Sequence, residues 1–302
     1  RQFPNPEIKE ALAKGLELCN VVKPDLLLAT DPDCDRVGIA VPSDNGYELF
    51  TGNEVGAMLL EYICSERTKM GTMPADPVAV KTIVTTDIAA KIAKEYGVKL
   101  IEVLTGFKFI GEQIGFLEDK GQEDRYIFGF EESYGYLAGS YVRDKDAVVA
   151  SMLICEMAAF YRTKGISLIQ ARENMYKKYG VYVHSQSSFV CEGVTGMERM
   201  KEIMSDLRTN TPKTIGGLTV TRFEDYLAST SVDTATGAKT MLTLPKSDVL
   251  TFKLTDGASV IIRPSGTEPK IKAYYTTTGT TKAEAAALEK TISDDFAKIL
   301  GF

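Results

Sequence analysis

The chain has 302 residues, 44% of them hydrophobic and 25% charged, which is apolar material enough for more than one core and a length that suggests two or three domains. With 35 basic and 41 acidic side chains, a net charge of -6 and no basic run, it lacks the footprint of a non-specific nucleic-acid or membrane-surface binder. A single histidine, His184, and no tryptophan exclude a His-based triad or a His-rich metal site.

Ile8, Leu12, Leu16 and Cys19 recur at helical spacing and predict a helix over 4–19, with Pro4 and Pro6 near its start. Asp25 to Thr30 is a short apolar run of the buried-strand kind. A second run follows at Val37 to Val41, and Asp44-Asn45-Gly46 reads as a turn. From Gly52 the pattern alternates. It predicts a helix at 53–63, strand 78–84, helix 87–96, strand 98–103, helix 109–118, strand 126–130, and helices at 146–161 and 168–179. Such alternation means βα units on a mostly parallel sheet. The polar, Ser-rich stretch Val181 to Ser188 reads as a linker. Beyond it, helices at 196–207 and 282–299 flank strands near 218–223, 249–254, 259–262 and 271–275, the pattern of a separate α+β domain.

The five cysteines (Cys19, Cys34, Cys64, Cys155, Cys191) are odd in number, widely spaced and without a C-x-x-C pair. That argues against a disulfide framework and a zinc site, and fits a reducing cytoplasm. No stretch has the apolar length of a membrane span, and no signal peptide is visible. The sequence starts at Arg1, inside a pattern already helical, so the expectation is a piece of something larger.

Three loops carry side chains suited to chemistry. Asp31-Pro32-Asp33-Cys34-Asp35-Arg36 follows a buried strand and places carboxylates at alternate positions, where they can converge on a hard divalent cation. An EF-hand would need Gly at the sixth position and Glu at the twelfth, which here are Arg36 and Pro42. Gly129-Phe130-Glu131-Glu132-Ser133-Tyr134-Gly135 offers paired carboxylates and a hydroxyl after a strand, groups that accept from vicinal sugar hydroxyls. Arg143, Lys145 and Asp146 stand nearby at a helix N-terminus, and Thr105-Gly106-Phe107-Lys108 adds another turn after a strand. Arg263-Pro264-Ser265-Gly266-Thr267-Glu268-Pro269-Lys270 is a compact anion cradle between two strands, distinct from a Walker A loop. Each loop alone could be a solvated turn. Together they describe a phosphosugar site.

In this order the three loops resemble the α-D-phosphohexomutase family of phosphoglucomutases and phosphomannomutases, over essentially the whole chain. The resemblance implies a mixed βα sheet region followed by a separate α+β C-terminal domain. It divides the chain into the end of a second domain at 1–48, a third at 49–180 and a fourth at 181–302. It implies that Asp31, Asp33 and Asp35 hold Mg²⁺ and that Arg36 supports the phosphoryl group in transfer. Glu131 and Ser133 would bind sugar hydroxyls, with Thr105 and Gly106 lining the same site. Arg263, Ser265, Gly266, Thr267 and Lys270 would grip the phosphate that does not react. Lys145 is similar in position to a lysine proposed for proton transfer, the alternative being a surface lysine paired with Asp146 or another neighbour.

The family uses a phosphoserine in a loop reading S-H-N-P to pass a phosphoryl group to and from a sugar through a bisphosphate. Here the lone His184 is followed by Ser185 and Gln186. The expectation is therefore a mutase in the intact protein and an inactive fragment here, lacking the N-terminal domains of its own chain. The Phe-Glu-Glu-Ser-Tyr-Gly form looks closer to members acting on glucose or pentose phosphates than on mannose phosphates. Two rival readings stand beside this one. Asp33-Cys34-Asp35-Arg36-Val37 fits the D-x-D-x-[T/V] motif of haloacid-dehalogenase-type phosphatases, although Asp31 and Pro32 separate it from the strand. The other rival is a phosphosugar-binding module without catalysis.

Overall fold

The computed structural model describes residues 4–191, 195–266 and 268–302. The chain divides into two compact units, the first ending at Tyr179 and the second beginning at Gly180.

In the first unit the expected helix over 4–19 starts later. Asn5 and Pro6 lie in a turn, a 3-10 turn covers Lys9–Leu12, and α1 (Ala13–Val22) then runs on to a left-handed Lys23. β1 (Leu27–Thr30), β2 (Val37–Ser43) and β3 (Gly46–Phe50) form an antiparallel sheet in that order. The third strand was not expected; the predicted Asp44–Gly46 turn is its hairpin. α2 (Gly52–Met70) opens on a capping box in which Thr51 and Glu54 each satisfy the other's backbone amide.

β4 (Val78–Thr82), α3 (Ile88–Tyr96), β5 (Lys99–Val103), α4 (Phe107–Glu118), β6 (Tyr126–Glu131), β7 (Gly135–Leu137), α5 (Ala147–Thr163) and α6 (Leu168–Tyr179) follow. The sheet order is β5-β4-β6-β7. The first three strands are parallel, as the βα alternation predicts, and β7 turns back antiparallel on β6. Every residue of β4 is buried, as befits a central parallel strand covered on both faces. Gly56 of α2 permits close packing on β6, since a Cβ there would lie 2.0 Å from the Phe130 ring. The parallel strands thus deliver three loops to one end of the sheet, at Thr82, Val103 and Glu131.

The second unit corrects one expectation outright. Val181 to Ser188 is no linker: it belongs to β8 (Val181–Val190), an end strand of the unit's larger sheet. Its partner is β15 (Lys270–Gly279), matched from Lys270↔Val190 to Gly279↔Val181. The polar side chains that suggested a linker are used locally. Ser185 hydrogen-bonds Glu289, and His184 Nδ1 lies 3.1 Å from the Thr276 hydroxyl. Between these strands come α7 (Gly196–Thr209), β9 (Thr214–Ile215), β10 (Leu218–Asp225), β11 (Thr230–Asp233), β12 (Lys239–Met241), β13 (Leu250–Leu254) and β14 (Ser259–Pro264). α8 (Lys282–Ile299) follows β15 and sends Ile292 and Phe296 into a core with Phe252, Val260 and Tyr275. Among the described residues no helix is long and apolar enough to cross a membrane.

Candidate functional site

The acidic loop joins β1 to β2 and is folded by its own first residue. Asp31 is buried, and its Oδ1 accepts the amides of Asp35 at 3.1 Å and Arg36 at 3.0 Å. The Cys34 amide donates to the Asp31 carbonyl, and Cys34 takes a left-handed φ of 59° to close the turn. These bonds bring one oxygen from each of Asp31, Asp33 and Asp35 within 4.8 Å of one another. Arg36 Nε lies 3.4 Å from Asp31 and 3.6 Å from Asp35, and its Nη1 is 3.3 Å from Glu7. Asp35 Oδ1 is buried and accepts no hydrogen bond. Three clustered carboxylates, one with such an oxygen, make a hard donor set that fits a divalent cation.

The Glu131–Gly135 turn docks directly on this loop. Arg36 forms an antiparallel bridge with Gly135, and the Val37 amide donates to the Tyr134 carbonyl at 3.2 Å. Lys145, from the segment before α5, spans the two. Its Nζ is 2.9 Å from Asp35, 3.3 Å from Asp144 and 4.0 Å from Glu131. The lysine stem passes over Gly135, where a Cβ would sit 2.2 Å from Lys145 Cδ. Only glycine leaves room. Asp146 does not pair with Lys145; it caps α5 by accepting the amides of Val148 and Val149. Thr105 and Gly106 follow β5 at the same end of the parallel sheet, with Gly106 at a φ of 116° before α4.

The charges shape one another. Burial pushes the Glu131 carboxyl up to about 7, the neighbouring Glu132 charge adds to this, and Lys145, the Ser133 hydroxyl and Arg36 oppose it. For Lys145, burial acts to lower the ammonium's value, but Asp35, Glu131 and Asp144 together hold it above the ordinary lysine range. The sequence suggested that Glu131 and Glu132 work as a pair. In the structure the two have different partners: Glu131 lies 4.0 Å from Lys145, whereas Glu132 accepts from Thr82 and Thr85. Those two threonines and Lys81 beneath them were missed, although a lysine inside the apolar run Val78–Val84 was a visible signal.

The third loop belongs to the second unit and closes the hairpin between β14 and β15. The Ser265 amide bonds the Lys270 carbonyl at 2.8 Å, and the Glu268 amide donates to the Ser265 hydroxyl at 3.3 Å. At Gly266 a Cβ would meet nothing within 4 Å. Lys270 is ion-paired with Glu268 of the same loop, and Arg263 stands on β14 opposite Lys272. Thr267 lies outside the described residues.

Over residues 51–179 the sequence matches the family description "Phosphoglucomutase/phosphomannomutase, alpha/beta/alpha domain III". Residues 1–45 match domain II of the same family, and 207–294 its C-terminal domain. The chain belongs to the α-D-phosphohexomutase family of phosphoglucomutases and phosphomannomutases. Phosphoglucomutase of Staphylococcus aureus strain bovine RF122 / ET3-1 is 38% identical over 274 residues, which is 90% of this chain and 48% of that protein. The relative from strain MRSA252 gives the same figures. The chain therefore spans about half the length of the curated relatives it matches. The fold is shared with the open form of Paramecium pp63/parafusin, a phosphoglucomutase (TM-score 0.68, 20% identity, 98% of this chain and 50% of that one). It is also shared with a phosphoglucomutase/phosphomannomutase family protein of Burkholderia thailandensis (TM-score 0.60, 15% identity, 98% and 51%).

Proposed function

We propose that the chain is the metal-, sugar- and phosphate-binding portion of a mutase that interconverts sugar 1-phosphate and sugar 6-phosphate. Glucose phosphate is the favoured substrate, and pentose phosphate is the alternative within the family. The observation that carries the reading is the junction in the first unit, where Lys145 links the acidic loop at Asp35 to Glu131 of the neighbouring turn. The phosphoglucomutase relatives support the glucose preference. The domain reading is 1–48, 49–180 and 181–302, and the five free cysteines suit a cytoplasmic setting.

Asp31, Asp33 and Asp35 would hold Mg²⁺, which when bound neutralises charge on a phosphoryl group in transfer. Arg36 adds a guanidinium beside those carboxylates for the same phosphoryl oxygens. Lys145 keeps its proton among its carboxylates and can give it to a bridging oxygen. Glu131 and Ser133 meet sugar hydroxyls, with Thr105 and Gly106 beside them. Arg263, Ser265, Gly266, Thr267 and Lys270 take the phosphate that does not react. No S-H-N-P sequence occurs in these 302 residues, so the chain by itself carries no mutase turnover.

Calorimetry of the chain with glucose 6-phosphate and Mg²⁺ should show binding that Arg263→Ala weakens; binding unaffected by that change would refute the cradle. Joined to an upstream half carrying the serine, the chain should turn over glucose 1-phosphate faster than mannose 1-phosphate or ribose 1-phosphate. Sustained phosphate release by the chain alone, abolished by Asp33→Asn, would replace the mutase with a phosphatase.

A further inference from the structure

Glu131 and Glu132 are adjacent in sequence but not in surroundings. Successive side chains along a strand point to opposite faces, and the pair sits where β6 ends. Glu131 therefore meets Lys145, whereas Glu132 Oε2 accepts from the hydroxyls of Thr82 at 3.2 Å and Thr85 at 3.4 Å. Those two hydroxyls lie 2.7 Å apart, and both threonines are buried.

The grip is itself anchored. Lys81 Nζ donates to the Thr85 carbonyl at 3.1 Å from a fully buried position, held between Glu102 at 2.6 Å and Asp87 at 3.1 Å. Asn53 of α2 accepts the Thr86 amide at 2.9 Å, which fixes the far side of the same turn. On the opposite flank the Glu132 carbonyl presses on Gly52, where a Cβ would come within 2.2 Å. The loop that presents Glu131 and Ser133 is thus tied through Glu132 to the end of the central strand β4. Burying a carboxylate costs free energy that packing alone would avoid, and in return its hydrogen bonds fix direction as well as distance.

We propose that Glu132 is a positioning residue for sugar recognition: held by Thr82 and Thr85, it sets the backbone from which Glu131 and Ser133 reach the substrate. The role of the positioned groups rests on the sugar-binding reading above; the clamp needs no bound sugar. Ser133 donates to Glu131, so a shift of this turn disturbs both groups together, and the Glu132 charge adds to the upward push on the Glu131 carboxyl.

The test uses the 302-residue chain, with amide hydrogen exchange and a carbon-13 NMR titration of Glu131. Thr82→Val with Thr85→Val removes both hydroxyls at nearly constant volume. The Val37 amide, bonded to the Tyr134 carbonyl of the turn, should then exchange about tenfold faster. The Val80 and Phe128 amides of the strands should keep their protection. Glu132→Gln keeps an acceptor for both hydroxyls, so it should preserve Val37 protection while lowering the Glu131 midpoint. Unchanged Val37 exchange in the double variant, an equal rise at Val80 and Phe128, or a Glu131 midpoint unmoved by Glu132→Gln would each overturn the proposal. Calorimetry of the wild-type chain with glucose 6-phosphate judges the sugar reading separately, because the exchange readout contains no sugar.

Discussion

The junction in the first unit and the cradle in the second use similar polar side chains, yet they are held in opposite ways. In the acidic loop Asp31 commits one oxygen to two amides, and the bridge from Arg36 to Gly135 fastens it to the neighbouring turn. Asp31, Asp35, Arg36 and Lys145 are half-buried or buried and mutually paired, while Asp33 is exposed. The loop from Ser265 to Lys270 is closed at its base, leaves Gly266 facing open space, and pairs its lysine with its own Glu268. A pre-organised site binds without an ordering cost at the moment of capture, whereas an open loop is shaped and freed by its ligand.

The largest expected effect lies at Glu131, because the junction confines a carboxyl whose value is raised from 4.5 to about 7. The folded chain holds this proton more tightly than the unfolded one. The contribution is complete below about pH 4.5 and lost as pH rises through about 7, on the order of 3 kcal/mol over that window. Glu131→Gln should flatten the stability profile there, as read from urea melts at about pH 5 and about pH 8. A slope equal to that of the wild type would show that the junction is looser than its geometry.

A smaller loss is expected at Asp31. Asp31→Ala orphans two amides and should cost about 2 kcal/mol in thermal denaturation, with loss of Mg²⁺ binding by calorimetry. Asp31→Asn should restore most of the stability but not the metal affinity, because an amide oxygen still accepts while the charge is gone. Equal stability for the two variants would break the claim that the loop is folded by its own first residue. The smallest effect belongs to the cradle. Glu268→Gln frees Lys270 and should tighten inorganic phosphate a few-fold at low salt, with stability changed by less than about 0.5 kcal/mol. Unaltered phosphate affinity would remove Lys270 from the cradle.

Much of this was legible in the sequence where burial is two-sided. Val78 to Val84 could be read as a strand because a parallel strand covered on both faces is apolar along its length. Val181–Val190 misled because an end strand tolerates Ser and His, whose groups find partners on β15 and α8. The three aspartates were readable from their spacing, which the loop's own turn converts into proximity. The pairing of Arg36 with Gly135 and the separate surroundings of Glu131 and Glu132 were not, since both depend on how distant segments meet. The helix expected from residue 4 was displaced because Asn5 and Pro6 turn the chain before the apolar spacing takes hold.

The way Asp31 closes its loop also bears on speed. The carboxylate oxygens stand within 4.8 Å of one another on a turn closed by the chain's own hydrogen bonds, so a cation binding there would have no backbone rearrangement to await. On the proposed metal-binding reading, capture would be timed by the shedding of the ion's own hydration shell, reluctant for Mg²⁺ and easier for the larger Ca²⁺. In rapid-mixing experiments the association rate should follow the choice of ion and stay indifferent to solvent viscosity, making the metal's water the clock of the first step.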